Sequence, residues 1–407
     1  MRLVPPGDVP GVALVNLGCR VNRVELDLMA SELERAGVPL VDEGEAAAVV
    51  VNTCAVTAEA EAKTRKAVRR AAQAAHAPLV VATGCVASLF ADELAALAPN
   101  VVVEKDKGRV AALVLEELGV PSCGVGDAGA LAQAPTPTGR TRPGIKVQDG
   151  CDNRCTYCIV WRARGAREVV LTGINLGSYR ASDERGRELR LPGLLELLLE
   201  RTDVERIRLS SIEPPDVTPE LCSVMAGAGE RIAPFLHVCL QSGCDETLRR
   251  MARVYRTDLF RRVCETAREA VAGMALGTDL IVGFPGETDD EFERSLAFCR
   301  EMGFARMHVF RYSRRPGTPA ATMPDQVGAR ESAERSRRAR ELAAEMRLER
   351  ARELVGSEDL VVVQYPGRGV SGGLFDVEVD PALPVDSLVR VRLASVRDDA
   401  TLVGEAH

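Results

Sequence analysis

The sequence predicts an α/β protein in three parts: an open parallel sheet, a partial (β/α)6 barrel and a small antiparallel, OB-like β-barrel. Apolar β-branched runs alternate with helical periodicity over residues 12–119, the same alternation resumes at Ile145, and short alternating strands begin at Gly356. At 407 residues, the chain has room for two or three domains of about 150 residues each. The predicted boundaries are 1–119, a linker at 120–142, 143–354 and 355–407.

The first part repeats a strand-then-helix pattern. Strands are predicted in VALVNLGC, AAVVVNTC, LVVATGC and VVVEKDKG, and a helical stretch follows each of them. Continuous apolar runs are typical of parallel strands buried on both faces. The first three runs end at Cys19, Cys54 and Cys85, so three thiols are expected at the carboxyl edge of one sheet, where α/β proteins bind ligands.

The second part has the pattern of a (β/α) barrel, whose active site lies at the carboxyl ends of its strands. Its strands are predicted in IKVQ, EVVLTG, RIRLSS, FLHVCLQ, MALGTDLIVG and ARMHVFRY. Nine residues separate Cys158 from Glu168, whereas a parallel crossover needs a dozen or more. The first crossover helix is therefore predicted to be missing, which leaves open whether this chain is active.

Composition favours a cytoplasmic protein. The net charge is −7, and the chain has no run of 18 apolar residues. Its beginning also lacks the basic and apolar segments of a signal peptide, so neither a membrane span nor export is expected.

Twelve cysteines in a chain without an export signal indicate either buried thiols or metal and redox chemistry. The triplet Cys151-x3-Cys155-x2-Cys158 follows the first barrel strand. Three thiols at this spacing can bind three irons of a cubane cluster and leave the fourth iron open. A structural zinc site is the alternative, and it would need a fourth Cys or His close by.

The triplet at the head of a barrel resembles the radical S-adenosylmethionine (SAM) superfamily. The resemblance implies that Cys151, Cys155 and Cys158 hold a [4Fe-4S] cluster whose open iron binds SAM and cleaves it to a 5′-deoxyadenosyl radical. It also implies SAM contacts in LTGINLGSY and GTDLIVGFPGE, at Thr172, Gly173, Asn175, Gly277, Asp279, Ile281 and Gly283.

The segments LGCRVNRVELD, VNTCAVTAEAEAKTRK and ATGCVA resemble the methylthiotransferases, and the match covers nearly the whole chain. This family has an N-terminal cluster domain, a radical SAM barrel and a C-terminal RNA-binding TRAM domain. The resemblance implies a second, auxiliary [4Fe-4S] cluster on Cys19, Cys54 and Cys85, which carries the sulfur that is methylated and transferred. It also implies an electron donor of the flavodoxin or ferredoxin type and a source of sulfur.

Val21-Asn22 and the second motif resemble the branch that modifies C2 of N6-threonylcarbamoyladenosine at adenosine-37, beside the tRNA anticodon. The isopentenyladenosine branch usually has Gln-Met-Asn after the first cysteine, and the branch acting on a ribosomal-protein aspartate has Pro-Lys-Asn. Both remain alternatives, as does a non-catalytic iron–sulfur RNA-binding protein that has lost the crossover helix.

Binding of the tRNA anticodon stem-loop requires local positive charge. The candidate contacts are Lys63, Arg65, Lys66 and Arg69 after the second cysteine, and Arg390 and Arg392 on the outer face of one terminal strand. A further arginine run comprises Arg249, Arg250, Arg253 and Arg256. A solvated face is the ordinary alternative for such runs. The terminal domain is itself acidic, with nine acidic and four basic residues in 355–407.

The remaining cysteines are predicted to be structural. Cys222, Cys264 and Cys299 fall in helical stretches and are expected in the core, and Cys123 falls in the linker. Cys239 and Cys244 flank Leu-Gln-Ser-Gly, at positions where the methylthiotransferases usually have Pro and Ser.

Overall fold

The computed structural model describes residues 10–17, 20–53, 58–120, 144–148, 167–173, 175–182, 186, 188–315 and 317–406. The chain forms two compact units, Met1–Gly139 and Arg140–His407. Within the described residues, none of the helices combines the length and apolar composition that crossing a bilayer requires. The predicted linker falls almost wholly outside the described residues.

The first unit contains the predicted parallel sheet, and its strands lie in chain order. The strands are β1 (Val12–Asn16), β2 (Ala48–Thr53), β3 (Leu79–Gly84) and β4 (Val101–Val103). The helices are α1 (Arg20–Arg35), α2 (Ala58–Ala72), α3 (Cys85–Leu89), α4 (Ala91–Ala95) and α5 (Val110–Glu117).

Strand β2 shows why the strands of this unit read as continuous apolar runs. Val49 and Val51 pack in one core cluster with Val68 of α2. Val50, between them, points to the opposite face and packs in a second cluster with Leu33 of α1. Alternate residues of the strand therefore enter two separate cores, and both faces of the sheet are covered.

The second unit contains the predicted partial barrel, and all of its strand pairs are parallel. Its strands are β5 (Gly144–Gln148), β6 (Glu168–Gly173), β9 (Arg206–Leu209), β10 (Ser211–Ile212), β11 (Phe235–Val238), β12 (Ala275–Val282) and β13 (Arg306–Arg311), and β7 (Ala181–Ser182) and β8 (Glu188–Leu189) form a small hairpin. The helices are α6 (Leu191–Arg201), α7 (Pro219–Ala228), α8 (Asp245–Arg250), α9 (Thr257–Ala270), α10 (Asp289–Met302) and α11 (Ala329–Leu354). The predicted short crossover between β5 and β6 falls in 149–166, outside the described residues.

Two helices, α8 and α9, follow β11 instead of one continuous helix. Helix α8 ends at Arg250, and Ala252 takes a left-handed φ of 55°, which a continuous right-handed helix cannot contain. The turn brings the Tyr255 hydroxyl to the backbone carbonyl of Cys239, to which it donates at 2.7 Å.

The chain ends in a closed five-stranded barrel in the order β14-β15-β16-β18-β17. The strands are β14 (Glu358–Tyr365), β15 (Arg368–Val370), β16 (Asp376–Glu378), β17 (Leu388–Val396) and β18 (Leu402–Ala406). The predicted barrel is confirmed: four of its five strand pairs are antiparallel, and the fifth, between β16 and β18, is parallel. Strand directions around a ring of five cannot alternate throughout, so closure requires a parallel pair.

The terminal barrel packs against the amino-terminal ends of the (β/α) barrel strands through a buried ion cluster. Glu168, the first residue of β6, accepts hydrogen bonds from Arg206 and Arg208 of β9. Arg206 also donates to the carbonyl of Leu360 at 2.6 Å, and Arg208 donates to that of Gly372 at 2.8 Å. All three charged side chains are at most 1% exposed. The carboxyl ends of the barrel strands lie at the opposite end.

We predict that Glu168→Gln lowers the free energy of unfolding by about 3–5 kcal/mol, because it removes the carboxylate that contacts both buried arginines. Glu205→Gln is the matched control, since the Glu205–Arg167 pair is exposed and should contribute at most about 1 kcal/mol. Urea unfolding of the full chain measures both variants. Equal unfolding midpoints for the two would contradict the role assigned to Glu168.

Candidate functional site

Cys85 is the predicted cluster ligand that falls among the described residues. It is the first residue of α3, directly after β3, and it is exposed. The other predicted ligands, Cys19, Cys54, Cys151, Cys155 and Cys158, lie outside the described residues. In the sequence, Cys54 directly follows β2 and Cys19 comes three residues after β1. Because β1, β2 and β3 are parallel neighbours, the chain leaves all three strands at the same edge of the sheet.

A buried pair of amides ties α1 to the end of β2. The Asn22 side-chain amide donates to Oδ1 of Asn52 at 3.0 Å and to the carbonyl of Thr53 at 2.8 Å. Asn52 returns a hydrogen bond to the Asn22 carbonyl at 2.7 Å. Both side chains are almost fully buried, so their hydrogen bonds fix the beginning of α1 against β2.

Thr53 extends this network to the third strand. Its Oγ1 accepts hydrogen bonds from the backbone N–H groups of Val86 and Ala87, at 3.1 and 3.2 Å. Thr53 precedes Cys54 and Val86 follows Cys85, while Asn22 comes three residues after Cys19. The network therefore joins residues that lie within three positions of each predicted auxiliary ligand in the sequence. The exposed thiol of Cys85 at this edge fits a ligand of such a cluster. Sequence analysis missed Asn52 and Thr53, although two polar residues ending the apolar run VVVNT were a signal.

Gly84 permits the close packing of β2 and β3 at this edge. Its φ is +95°, and a Cβ there would lie 2.5 Å from both Oδ1 of Asn52 and the carbonyl oxygen of Thr53. Any side chain at this position would displace the hydrogen-bonded residues beside Cys85.

Strand β12 carries predicted SAM contacts on one face. Leu280 and Val282 pack in the core against the surrounding helices. Gly277, Asp279 and Ile281 alternate with them and therefore face the barrel interior. Their position near the carboxyl end of the strand is where a barrel ligand is expected.

The other predicted SAM contacts differ from one another in their positions and hydrogen bonds. Thr172 is buried near the end of β6, and Gly173 ends that strand, with Asn175 shortly after it. Gly283 donates its N–H to Glu287 at 2.6 Å. Burial raises the pKa of the Glu287 carboxyl, and an ion pair with Arg335 of α11 opposes that effect. Gly283 thus has a role in attaching β12 to α11.

His237 is an interior residue that sequence analysis missed. Its Nε2 lies 3.1 Å from Oδ1 of Asp279, and its ring contacts that of His308 edge-on, with centroids 5.5 Å apart. Cys239, two residues later, is buried, and burial, together with the negative charges of Asp279 and Glu213, raises the pKa of its thiol to about 12. The thiol is therefore neutral at physiological pH. The signal was the alternation of His and Cys along β11.

The predicted RNA contacts on α2 divide into two kinds. Lys63, Lys66 and Arg69 are exposed. Arg65 is engaged by Glu61 and Glu93, at 2.9 and 3.0 Å. The acidic partners of Arg65 reduce the charge that it can offer to a phosphate.

Some of the candidate arginines on the terminal strand and in the second arginine run are also paired with glutamates. Arg390 and Arg392 are exposed while Val391 is buried, which confirms the predicted outer face, and Arg390 pairs with Glu230 at 2.7 Å. In the arginine run that begins at Arg249, Arg250 pairs with Glu291 and Arg253 pairs with Glu213. Arg249 itself is exposed. Cys222, Cys264 and Cys299 are buried in the barrel core, as predicted.

Two family models match the chain. The uncharacterized protein family UPF0004 matches residues 11–104, which include Cys19, Cys54 and Cys85. The radical SAM superfamily matches residues 186–299. The second match begins after the cysteine triplet and the short predicted crossover.

Curated relatives match over most of their length. Threonylcarbamoyladenosine tRNA methylthiotransferase MtaB of Thermotoga maritima is 34% identical, over 89% of this chain and 88% of the relative. tRNA-2-methylthio-N(6)-dimethylallyladenosine synthase of Sphingopyxis alaskensis is 32% identical, over 93% and 94%. Ribosomal protein uS12 methylthiotransferase RimO of Desulforudis audaxviator is 35% identical, over 88% and 87%. Identity alone therefore does not separate the three substrates.

We predict that Asn52→Ala increases local opening at the carboxyl ends of β2 and β3. The reason is that the variant leaves the buried amide of Asn22 without its side-chain acceptor. A loss of about 1–3 kcal/mol for an unsatisfied buried group corresponds to a roughly 5–150-fold faster local opening. Hydrogen exchange followed by mass spectrometry measures this on peptides from β2 and β3.

Asn100→Ala is the matched control, because Asn100 caps two carbonyls of the same unit from a partly exposed position where water can replace it. Equal exchange in the two variants would show that the buried pair does not hold the edge.

Proposed function

The chain belongs to the radical SAM methylthiotransferase family, and we propose that it transfers a methylthio group to C2 of N6-threonylcarbamoyladenosine at position 37 of tRNA. The motif around Val21-Asn22 and the MtaB relatives support this substrate. The observation that carries the choice of substrate is Val21-Asn22 after the first predicted ligand, Cys19, because relatives of all three substrate branches match most of the chain.

Family membership implies SAM and two [4Fe-4S] clusters as cofactors. We assign the radical cluster to Cys151, Cys155 and Cys158, and the auxiliary cluster to Cys19, Cys54 and Cys85. The shared sheet edge and the amide network beside it support the second assignment. When bound, these groups supply the radical that removes hydrogen from an unactivated carbon and the sulfur that replaces it.

The residues of the barrel interior would hold and orient SAM. Gly277 and Ile281 lie on the interior face of β12, near the carboxyl end of the strand. Thr172 offers a hydroxyl from β6. Because the terminal barrel packs on the amino-terminal ends of the strands, we assign entry of the substrate to their carboxyl ends.

We assign tRNA binding chiefly to Lys63, Lys66 and Arg69 on α2. These residues are exposed, and in the sequence they follow Cys54 closely. An anticodon loop presents unstacked bases between phosphates, so cations close to a reactive site can position such a base. Arg392 offers an exposed cation on the terminal barrel, while Arg65 and Arg390 contribute less because glutamates neutralise them.

Nucleoside mass spectrometry of tRNA from a strain that lacks this gene tests the substrate. We predict the loss of the methylthio group from N6-threonylcarbamoyladenosine alone, restored by the wild-type gene and not by a Cys85→Ala variant. A Cys222→Ala variant, in which a buried core thiol is replaced, is the control and should restore the modification.

Loss of the methylthio group from the isopentenyladenosine nucleoside would overturn the substrate proposal. Unchanged tRNA, together with an unmodified aspartate in the ribosomal protein, would assign the chain to the third branch. Unchanged modification of all three would favour a non-catalytic RNA-binding protein.

A further inference from the structure

Three metal-binding side chains converge inside the barrel in a way that the proposed function does not require. A ring nitrogen of His237, Sγ of Cys239 and a carboxylate oxygen of Asp279 all lie within 4.8 Å of one another. His237 and Cys239 belong to one strand and its extension, and Asp279 lies on the neighbouring strand β12. Neutral imidazole, thiolate and carboxylate are the ligands that Zn²⁺ prefers in proteins.

The distances fit ligands that share one ion. Zinc bonds of about 2.0–2.3 Å in a tetrahedron place neighbouring ligand atoms roughly 3.3–3.6 Å apart. Nε2 of His237 and Oδ1 of Asp279 are already 3.1 Å apart. Nε2 is also buried without a hydrogen-bond partner among the described residues. Two such atoms in close contact without hydrogen-bond alignment are well placed to bind the same cation.

The backbone holds these ligands in place before any ion binds. The N–H of Cys239 donates to the carbonyl of Ile212 at 3.0 Å, and the Cys239 carbonyl accepts from Tyr255 at 2.7 Å. His237 pairs in register with Gly277, where a Cβ would lie 3.0 Å from Nδ1 of the imidazole. Gly277 thus provides the space that the ring occupies.

The charges also balance. A zinc ion with one thiolate, one carboxylate and a neutral imidazole has a net charge of zero, which lowers the cost of burying it. Glu213 and Arg253, which lie near the thiol, neutralise one another in an ion pair. On binding, the thiol proton of Cys239 leaves to solvent.

A second group of possible ligands, Cys244, Glu246 and Glu291, differs from the first because arginines pair with its carboxylates. Arg294 pairs with Glu246 and Arg250 pairs with Glu291, while the Cys244 thiol donates to Glu246 at 3.0 Å. Two guanidinium groups already supply the positive charge that a metal ion would bring, so this group is satisfied without one.

We propose that His237, Cys239 and Asp279 form a zinc site in the barrel interior, with a fourth position available to water. In this proposal the Asp279 carboxylate binds the ion and not SAM. The Asp279 side chain is 23% exposed, which gives an ion a route into the site. The proposed zinc site is the same whichever RNA or protein the enzyme modifies.

Zinc binding by the full-length protein with reconstituted iron–sulfur clusters tests the proposal. The protein is equilibrated with Zn²⁺ against a competing chelator, and zinc and iron are measured in the same sample by mass spectrometry. The wild-type protein should bind one zinc per chain more than Cys239→Ser, whose affinity at this site should fall by more than roughly 100-fold. X-ray absorption at the zinc edge should show one sulfur ligand with nitrogen and oxygen ligands.

Cys264→Ser is the matched control, since Cys264 is another buried thiol of the same barrel whose pKa burial raises to about 12. It should bind zinc like the wild type. Asp279→Asn provides a second variant of unchanged volume, and it should also lose the zinc. Equal zinc in the wild type and Cys239→Ser, at equal iron content, would overturn the proposal. The measurement uses neither SAM nor tRNA, so its outcome is independent of the proposed function.

Discussion

Parallel strands that follow one another in chain order must end at the same edge of their sheet, and both α/β units depend on that constraint. In the first unit, it brings the chain next to Cys19, Cys54 and Cys85 to one edge. The strand ends alone would leave the three segments free to move apart. Asn22, Asn52 and Thr53 add the buried hydrogen bonds that hold them together, and each bond is strong because water is excluded from it.

In the second unit, the same constraint gives the two ends of the barrel different roles. Glu168 and its two arginines lie at the amino-terminal end, where they attach the terminal barrel. Asp279 and the other interior residues lie toward the carboxyl end. An ion cluster at the first end can therefore be rigid and fully desolvated, while the residues at the second end remain available to a cofactor. The stability of the barrel and its chemistry then rest on different residues.

Much of this arrangement could be predicted from the sequence, because strand and helix periodicities are local signals. Apolar runs identified the parallel strands, and their ends indicated the edge of the sheet at which the ligands Cys19, Cys54 and Cys85 are predicted. Pairings between distant segments could not be predicted in this way. The Asn22–Asn52 pair spans 30 residues and the partners of Arg206 lie up to 154 residues away, so no local pattern records them. The same limit explains why the arginine run that begins at Arg249 was predicted to offer positive charge to RNA. Arg250 and Arg253 pair with glutamates that are distant in the sequence.

Membership of the methylthiotransferase family predicts radical SAM chemistry in this chain despite the short crossover predicted after the triplet. The most direct measurement is the formation of 5′-deoxyadenosine by the anaerobically reconstituted protein with SAM and a strong reductant. We predict SAM-dependent formation of 5′-deoxyadenosine, which is lost when Cys151, Cys155 and Cys158 are replaced together by Ala. A fully reconstituted protein that produces no 5′-deoxyadenosine would contradict the account.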